Sequence, residues 1–165
     1  MNHFEIERQR FKPKKIDILF IAESPPQGGT FFYFRNSNLY SALFTAFHNV
    51  FQDITETTFL EIFKQKGCYL EDLCVNPVNG LNDFERTKAR MKGVSILTKK
   101  LQIYRPKVII ILMKDIASYI DEALLKSGIR VEFKIATSFP VRSQSNINNC
   151  IIGVEFALRK RLTLD

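Results

Sequence analysis

Two runs of the chain, Ile16–Ala22 and Val108–Met113, are nearly unbroken apolar stretches rich in β-branched residues, and they constrain the fold more than any other feature. A strand with one wet face alternates apolar with polar side chains. A strand without that alternation must be covered on both faces, as the central strands of a parallel sheet are. Cys68–Leu73 and Val131–Thr137 are two further candidate strands. Between the strands, apolar residues recur at three and four positions, which is helical spacing. Leu39, Leu43, Ala46, Phe47 and Phe51 mark a first helix, and Phe59, Ile62 and Phe63 a short second one. Residues 83–103 carry Met91, Val94, Leu97 and Leu101 on one stripe, and Asp115–Lys126 is a helix that Gly128 closes. The last helix is expected from about Asn146 to Leu162, with Ile147, Ile151, Val154, Leu158 and Leu162 inward. Strand and helix thus alternate along the chain, which predicts a three-layer α/β/α sandwich around a four-stranded parallel sheet. With 165 residues, short loops and no repeat, one domain over residues 1–165 is expected.

Parallel strands bring their carboxyl ends to one edge of the sheet, where open α/β folds place ligands. The first strand runs into Glu23-Ser24-Pro25-Pro26, with Gly28, Gly29 and the aromatic run Phe31-Phe32-Tyr33-Phe34 just beyond. Its tip therefore offers a carboxylate and flat rings, and flat rings suit a flat ligand such as a nucleobase. Glu23 is either a positioned group or a solvated carboxylate beside a turn. At least two of the four aromatics are expected to fill the core, and one left facing a cleft would be a stacking platform. The second strand ends at Glu71-Asp72, the third at Lys114-Asp115, and the fourth runs into Thr137 to Ser143. Asp72 either faces the cleft or caps its loop. Arg142 and Ser143 either bind phosphate or cap the last helix.

A formal charge of +7 makes a polyanionic partner as plausible as a plain basic surface. Three basic groups stand out: Lys12, Lys14 and Lys15; Arg86, Lys88, Arg90 and Lys92; and Arg159, Lys160 and Arg161. For each, a solvated face is the default expectation. Cys68, Cys74 and Cys150 form no close pair and read as reduced thiols of a cytoplasmic protein. His3 falls in a polar terminus expected to be mobile, and His48 in the first helix as a half-buried structural residue. No spacing suits a metal, a phosphate loop or a dinucleotide, so no metal or cofactor is expected. The longest apolar run is too short to cross a bilayer, and a soluble cytoplasmic monomer or weak oligomer is expected.

In their order, these motifs resemble the uracil-DNA glycosylase superfamily from about Ile16 to Leu162. Ile18-Leu-Phe-Ile-Ala-Glu-Ser-Pro-Pro26 resembles the first motif, a strand entering a Gly-Glu-Ala-Pro-Gly or Gly-Ile-Asn-Pro-Gly turn. Phe32 to Tyr40 is similar to the aromatic segment of the mismatch-specific branch, and Gly67 to Leu73 to the second strand of the iron–sulfur branch. Pro106 to Met113 is similar to the Pro-Lys-Val-Ile strand of these families. Ala136 to Pro140 falls where they carry the motif that begins His-Pro-Ser.

The resemblance implies an α/β/α sandwich that turns one base out of DNA and hydrolyses its N-glycosidic bond without metal. By the same resemblance, Glu23 and Ser24 fall at the catalytic positions. Phe32 would be the stacking ring, and Asp72 stands at the place of a base-reading Asn. Pro25, Pro26, Arg142 and Ser143 would lie along DNA. Phe139 occupies the base-binding position where several branches have a histidine that donates to the leaving base. Asp72 in place of Asn exchanges an amide donor for an acceptor. Three cysteines do not supply four cluster ligands. The expected function is accordingly removal of a damaged or deaminated base, with a preference altered from uracil. A non-catalytic nucleic-acid binder on the same scaffold is the alternative, and a small-molecule hydrolase or binding protein using the cleft is a third.

Overall fold

The computed structural model describes residues 2–163. Four strands, β1 (Ile18–Ala22), β2 (Cys68–Asp72), β3 (Val108–Ile111) and β4 (Phe133–Ala136), form a parallel sheet in the order β2-β1-β3-β4. The central places belong to β1 and β3, and every residue of both is buried. That double burial is why their sequences do not alternate. The edge strand β4 does alternate, half-buried with exposed.

Helices α2 (Asn38–Val50) and α3 (Phe59–Gln65) carry the chain from β1 to β2, and α4 (Asp83–Tyr104) from β2 to β3. Helix α5 (Ala117–Ser127) joins β3 to β4, and α6 (Gln144–Leu162) follows β4. The packing of α4 on α5, and of α2 on α6, makes the outer layers of a three-layer α/β/α sandwich. From β1 the chain crosses to one side of the sheet, and from β3 to the other. Strand order therefore reverses between β1 and β3, and a crevice opens at their carboxyl ends.

Local chemistry sets the helix ends. Asn82 and Glu85 form a reciprocal capping box at the start of α4. Ser143 Oγ accepts the Asn146 N–H at 3.1 Å, so α6 begins at Gln144, ahead of the expected Asn146. Gly128 closes α5 with φ 70°, as its place in the sequence predicts.

Three expectations are corrected. The amino-terminal segment is ordered into helix α1 (His3–Arg10), capped by Asn2 Oδ1 accepting the Glu5 N–H at 2.9 Å. The His3 ring lies 4.8 Å from that of Phe34, and Phe4 packs edge-on to Phe31 at 5.0 Å. Apart from Phe4 and Ile6, α1 is polar, so periodicity gave no signal for it. Met91 is 62% exposed, because the buried stripe of Val94, Leu97 and Leu101 continues toward Arg90 and Arg86. Met91 lies about 100° round the helix from Arg90. His48 is exposed, with Nδ1 3.0 Å from the Ile54 carbonyl oxygen.

Helix α1 lies against the free edge of β2. Unpaired backbone groups on an edge strand are a liability unless something covers them. Here the Tyr33 hydroxyl accepts from the Leu70 N–H at 2.8 Å and donates to the Leu70 carbonyl at 3.1 Å. Arg8 Nη1 donates to that same carbonyl at 3.2 Å. Among the described residues, no helix is long and apolar enough to cross a membrane.

Candidate functional site

The carboxyl ends of the strands and the loops after them surround a cleft of about 610 Å³, within the range of small-molecule sites. Of the residues singled out in the sequence, the cleft gathers Glu23, Ser24, Pro26, Phe32, Asp72, Phe139 and Arg142. Pro25 and Ser143 stand outside its lining. Ser143 spends its hydroxyl on the α6 cap. Ser24 Oγ accepts the Val78 N–H at 3.4 Å, which ties the turn after β1 to the loop after β2.

Glu23 is not a free carboxylate. Oε1 accepts from Arg86 Nε and Arg90 Nε, each at 2.7 Å, and Oε2 accepts from Arg86 Nη2. The two arginines stand four apart on α4 and so share one face, which turns half of the second basic group inward. Burial alone would raise the Glu23 carboxyl. The hydrogen bonds and charges of Arg86 and Arg90 outweigh burial and hold it below its ordinary value. A carboxylate so held stays ionised near neutrality and is a weak proton acceptor.

Asp72 ends β2 opposite Ala22 of β1. Its Oδ2 accepts from Arg8 Nη2 at 2.6 Å. Arg8 also donates to Glu71 Oε2 at 3.3 Å, and Glu71 accepts in addition from Lys100 (2.7 Å) and the Tyr104 hydroxyl (2.8 Å). Burial raises the Asp72 carboxyl, and the charge and hydrogen bond of Arg8 offset this only in part. Sequence reasoning missed Arg8, a lone arginine in a polar segment that no local pattern marks. The spacing of Arg86 and Arg90 was visible, but their partner was not.

Phe31 and Phe32 line the cleft but are only 3% and 2% exposed. The Arg8 guanidinium covers Phe31 at 5.4 Å, and Phe32 meets Tyr33, Phe59 and Phe63. Phe139 is half-buried and presents the more open ring. On the same rim, Arg142 is exposed and holds φ 71°, in the left-handed region. Non-glycine residues there cost about 1 kcal/mol or more, and such strain concentrates at functional sites. Lys114, also exposed, adds a second cation to the cleft.

The cysteines Cys68, Cys74 and Cys150 are buried free thiols. Burial pushes Cys74 and Cys150 up to about 11, so neither is a thiolate nucleophile at neutral pH. Among the described residues, no group of three or more His, Cys, Asp or Glu side chains is placed to hold a metal ion. Set against known proteins, the chain matches no family model and no curated protein.

Proposed function

We propose that this chain is a DNA glycosylase-like protein whose cleft captures one damaged or mispaired base turned out of DNA. One observation carries the reading. An aromatic ring (Phe139), a fixed carboxylate (Asp72) and exposed cations (Arg142, Lys114) line a single cleft at the carboxyl edge of the sheet. A flipped base needs a ring to stack on, worth about 1–3 kcal/mol, and polar groups that read its edge. The DNA backbone needs cations at the rim.

Hydrolysis of the N-glycosidic bond would proceed from that capture. The C1′–N bond breaks, the base leaves with the electron pair, a water oxygen bonds to C1′, and the proton that water gives up ends on the departed base. The exposed cations of the cleft lining, Lys114 and Arg142, would stabilise the charge that develops on the departing base. For Glu23 to offset charge on the oxocarbenium-like sugar, its pairing with Arg86 and Arg90 would have to loosen. A second reading, capture without cleavage, is favoured by the commitment of both Glu23 oxygens to Arg86 and Arg90.

Single-turnover incubation with end-labelled duplexes carrying uracil, hypoxanthine, xanthine or a mismatched adenine or cytosine tests both. Free base and alkali-labile sites formed by the wild type and lost in Glu23→Gln would support hydrolysis. Tight binding with no abasic site formed would support capture alone. A protein that neither binds nor cuts any duplex is not a glycosylase-like protein in function.

A further inference from the structure

The two edges of the sheet are finished differently. The outer side of β2 is closed by Tyr33 and Arg8, while β4 pairs with β3 alone and its outer side meets no strand among the described residues. An open edge strand invites a further strand. Large apolar side chains flank this edge in both helix layers. On α6, Ile152 and Phe156 are 66% and 55% exposed. Lys160 Nζ lies 5.8 Å from the Phe156 ring and 4.4 Å from the Phe133 ring of β4, so both rings share one surface. On α5, Leu125 is 82% exposed and stands one turn after Asp121, which pairs with Lys134 of β4. Along the strand, half-buried Val131, Phe133 and Ile135 alternate with exposed Glu132 and Lys134.

We propose that this edge binds a second copy of the chain, β4 pairing antiparallel with β4 across a twofold axis at Phe133. The charge pattern selects both the occupant and the register. With Phe133 on the axis, Lys134 of each copy falls opposite Glu132 of the other, so the favourable pair forms twice. Phe133 meets its own counterpart and Ile135 meets Val131, so apolar residues face apolar ones on the α6 side. An axis one residue further on, at Lys134, would set two lysines against each other. A lone edge lysine repels an incoming strand. Here Glu132, two places earlier, gives it a partner in the second copy. Ile152 and Phe156 extend the apolar surface beside the Phe133 pair, and Leu125 adds to it on the opposite face. Each cleft lies at the carboxyl ends of its strands, so the two clefts open on opposite edges of one continuous sheet and neither obstructs the other. The pairing does not depend on what the cleft binds.

Sedimentation velocity at low salt, where surface charges are least screened, tests this. Wild-type protein should move from 19.2 kDa toward twice that mass as its concentration rises. Phe156→Glu, at an exposed position, should weaken self-association at least about tenfold with the circular dichroism spectrum unchanged. Glu132→Lys and Lys134→Glu each set like charges opposite one another at two places, and each alone should weaken association at least about tenfold. An equimolar mixture of these two variants sets opposite charges at both places and should recover the wild-type association. A folding defect in either variant is not cured by mixing, so recovery reports the contact across the axis. A single 19.2 kDa species at every concentration up to about 1 mM overturns the second copy as occupant. A dimer indifferent to all three substitutions forms through another face, and a mixture that stays monomeric excludes this register; either result overturns the inference.

Discussion

Glu23 leaves the end of β1 with both oxygens claimed by Arg86 and Arg90, so removing its charge strands two guanidiniums. Breaking a fully buried pair costs about 3–5 kcal/mol. Arg86 is about a third exposed, which lets water take up part of the loss. Glu23→Gln should therefore destabilise by about 1–3 kcal/mol in urea titrations at neutral pH. The pH dependence follows from the direction of the shift. The folded carboxyl titrates below its unfolded value, so between the two the unfolded chain binds more protons and stability rises with pH. The contribution is complete above the ordinary carboxylate range and is lost as pH falls through the lowered folded value. The gap between wild type and Glu23→Gln should close on acidification, and a gap independent of pH would disprove the ion-pair account. Glu23 and Asp72 were legible as strand-end carboxylates. Their partners stand 63, 67 and 64 residues away in sequence. A hydrophobic pattern records which face a residue occupies, not which distant carboxylate a long side chain reaches.

Helix α4 shows how closely the elements are fitted. A Cβ built at Gly93 would lie 2.2 Å from the Leu73 carbonyl oxygen, which is backbone and cannot rotate aside. Alanine is the better helix former by about 1 kcal/mol, while overpacking a tight contact costs about 1–3 kcal/mol. Gly93→Ala should therefore lower stability by up to about 2 kcal/mol net, and a thermal melt showing stabilisation would mean that α4 does not lie this close to the end of β2. At this scale the sequence was most informative where burial was most extreme. Doubly covered β1 and β3 showed as unbroken runs, α4 as a stripe and α5 as a segment closed by Gly128. Helix α1 was illegible because an aromatic contact and a buried ion pair hold it, and neither has a period. Met91 misled because a stripe read from apolar residues alone ignores the arginines that continue it.

Across the whole molecule the count of 24 lysines and arginines overstates the cations that nucleic acid would meet. Arg8, Arg86, Arg90 and Arg161 are bound in ion pairs with Asp72, Glu23 and Asp17. Those neutralised cations release few counterions, so the salt dependence should report the exposed cations near the cleft and not the formal charge. Each phosphate neutralised steepens the fall of log K with log salt by about 0.9 on duplex DNA. Arg142 lets one substitution separate function from stability, because its φ of 71° suits glycine better than arginine. Arg142→Gly should raise stability by about 1 kcal/mol, since the left-handed strain is relieved. The same variant should weaken DNA binding and flatten the salt slope by about 0.9. Both shifts together would mark Arg142 as a strained residue kept for contact with DNA. A stabilised variant with an unchanged salt slope would remove Arg142 from the proposed DNA-binding surface. A flat salt response in the wild type itself would point instead to a small neutral ligand in the cleft.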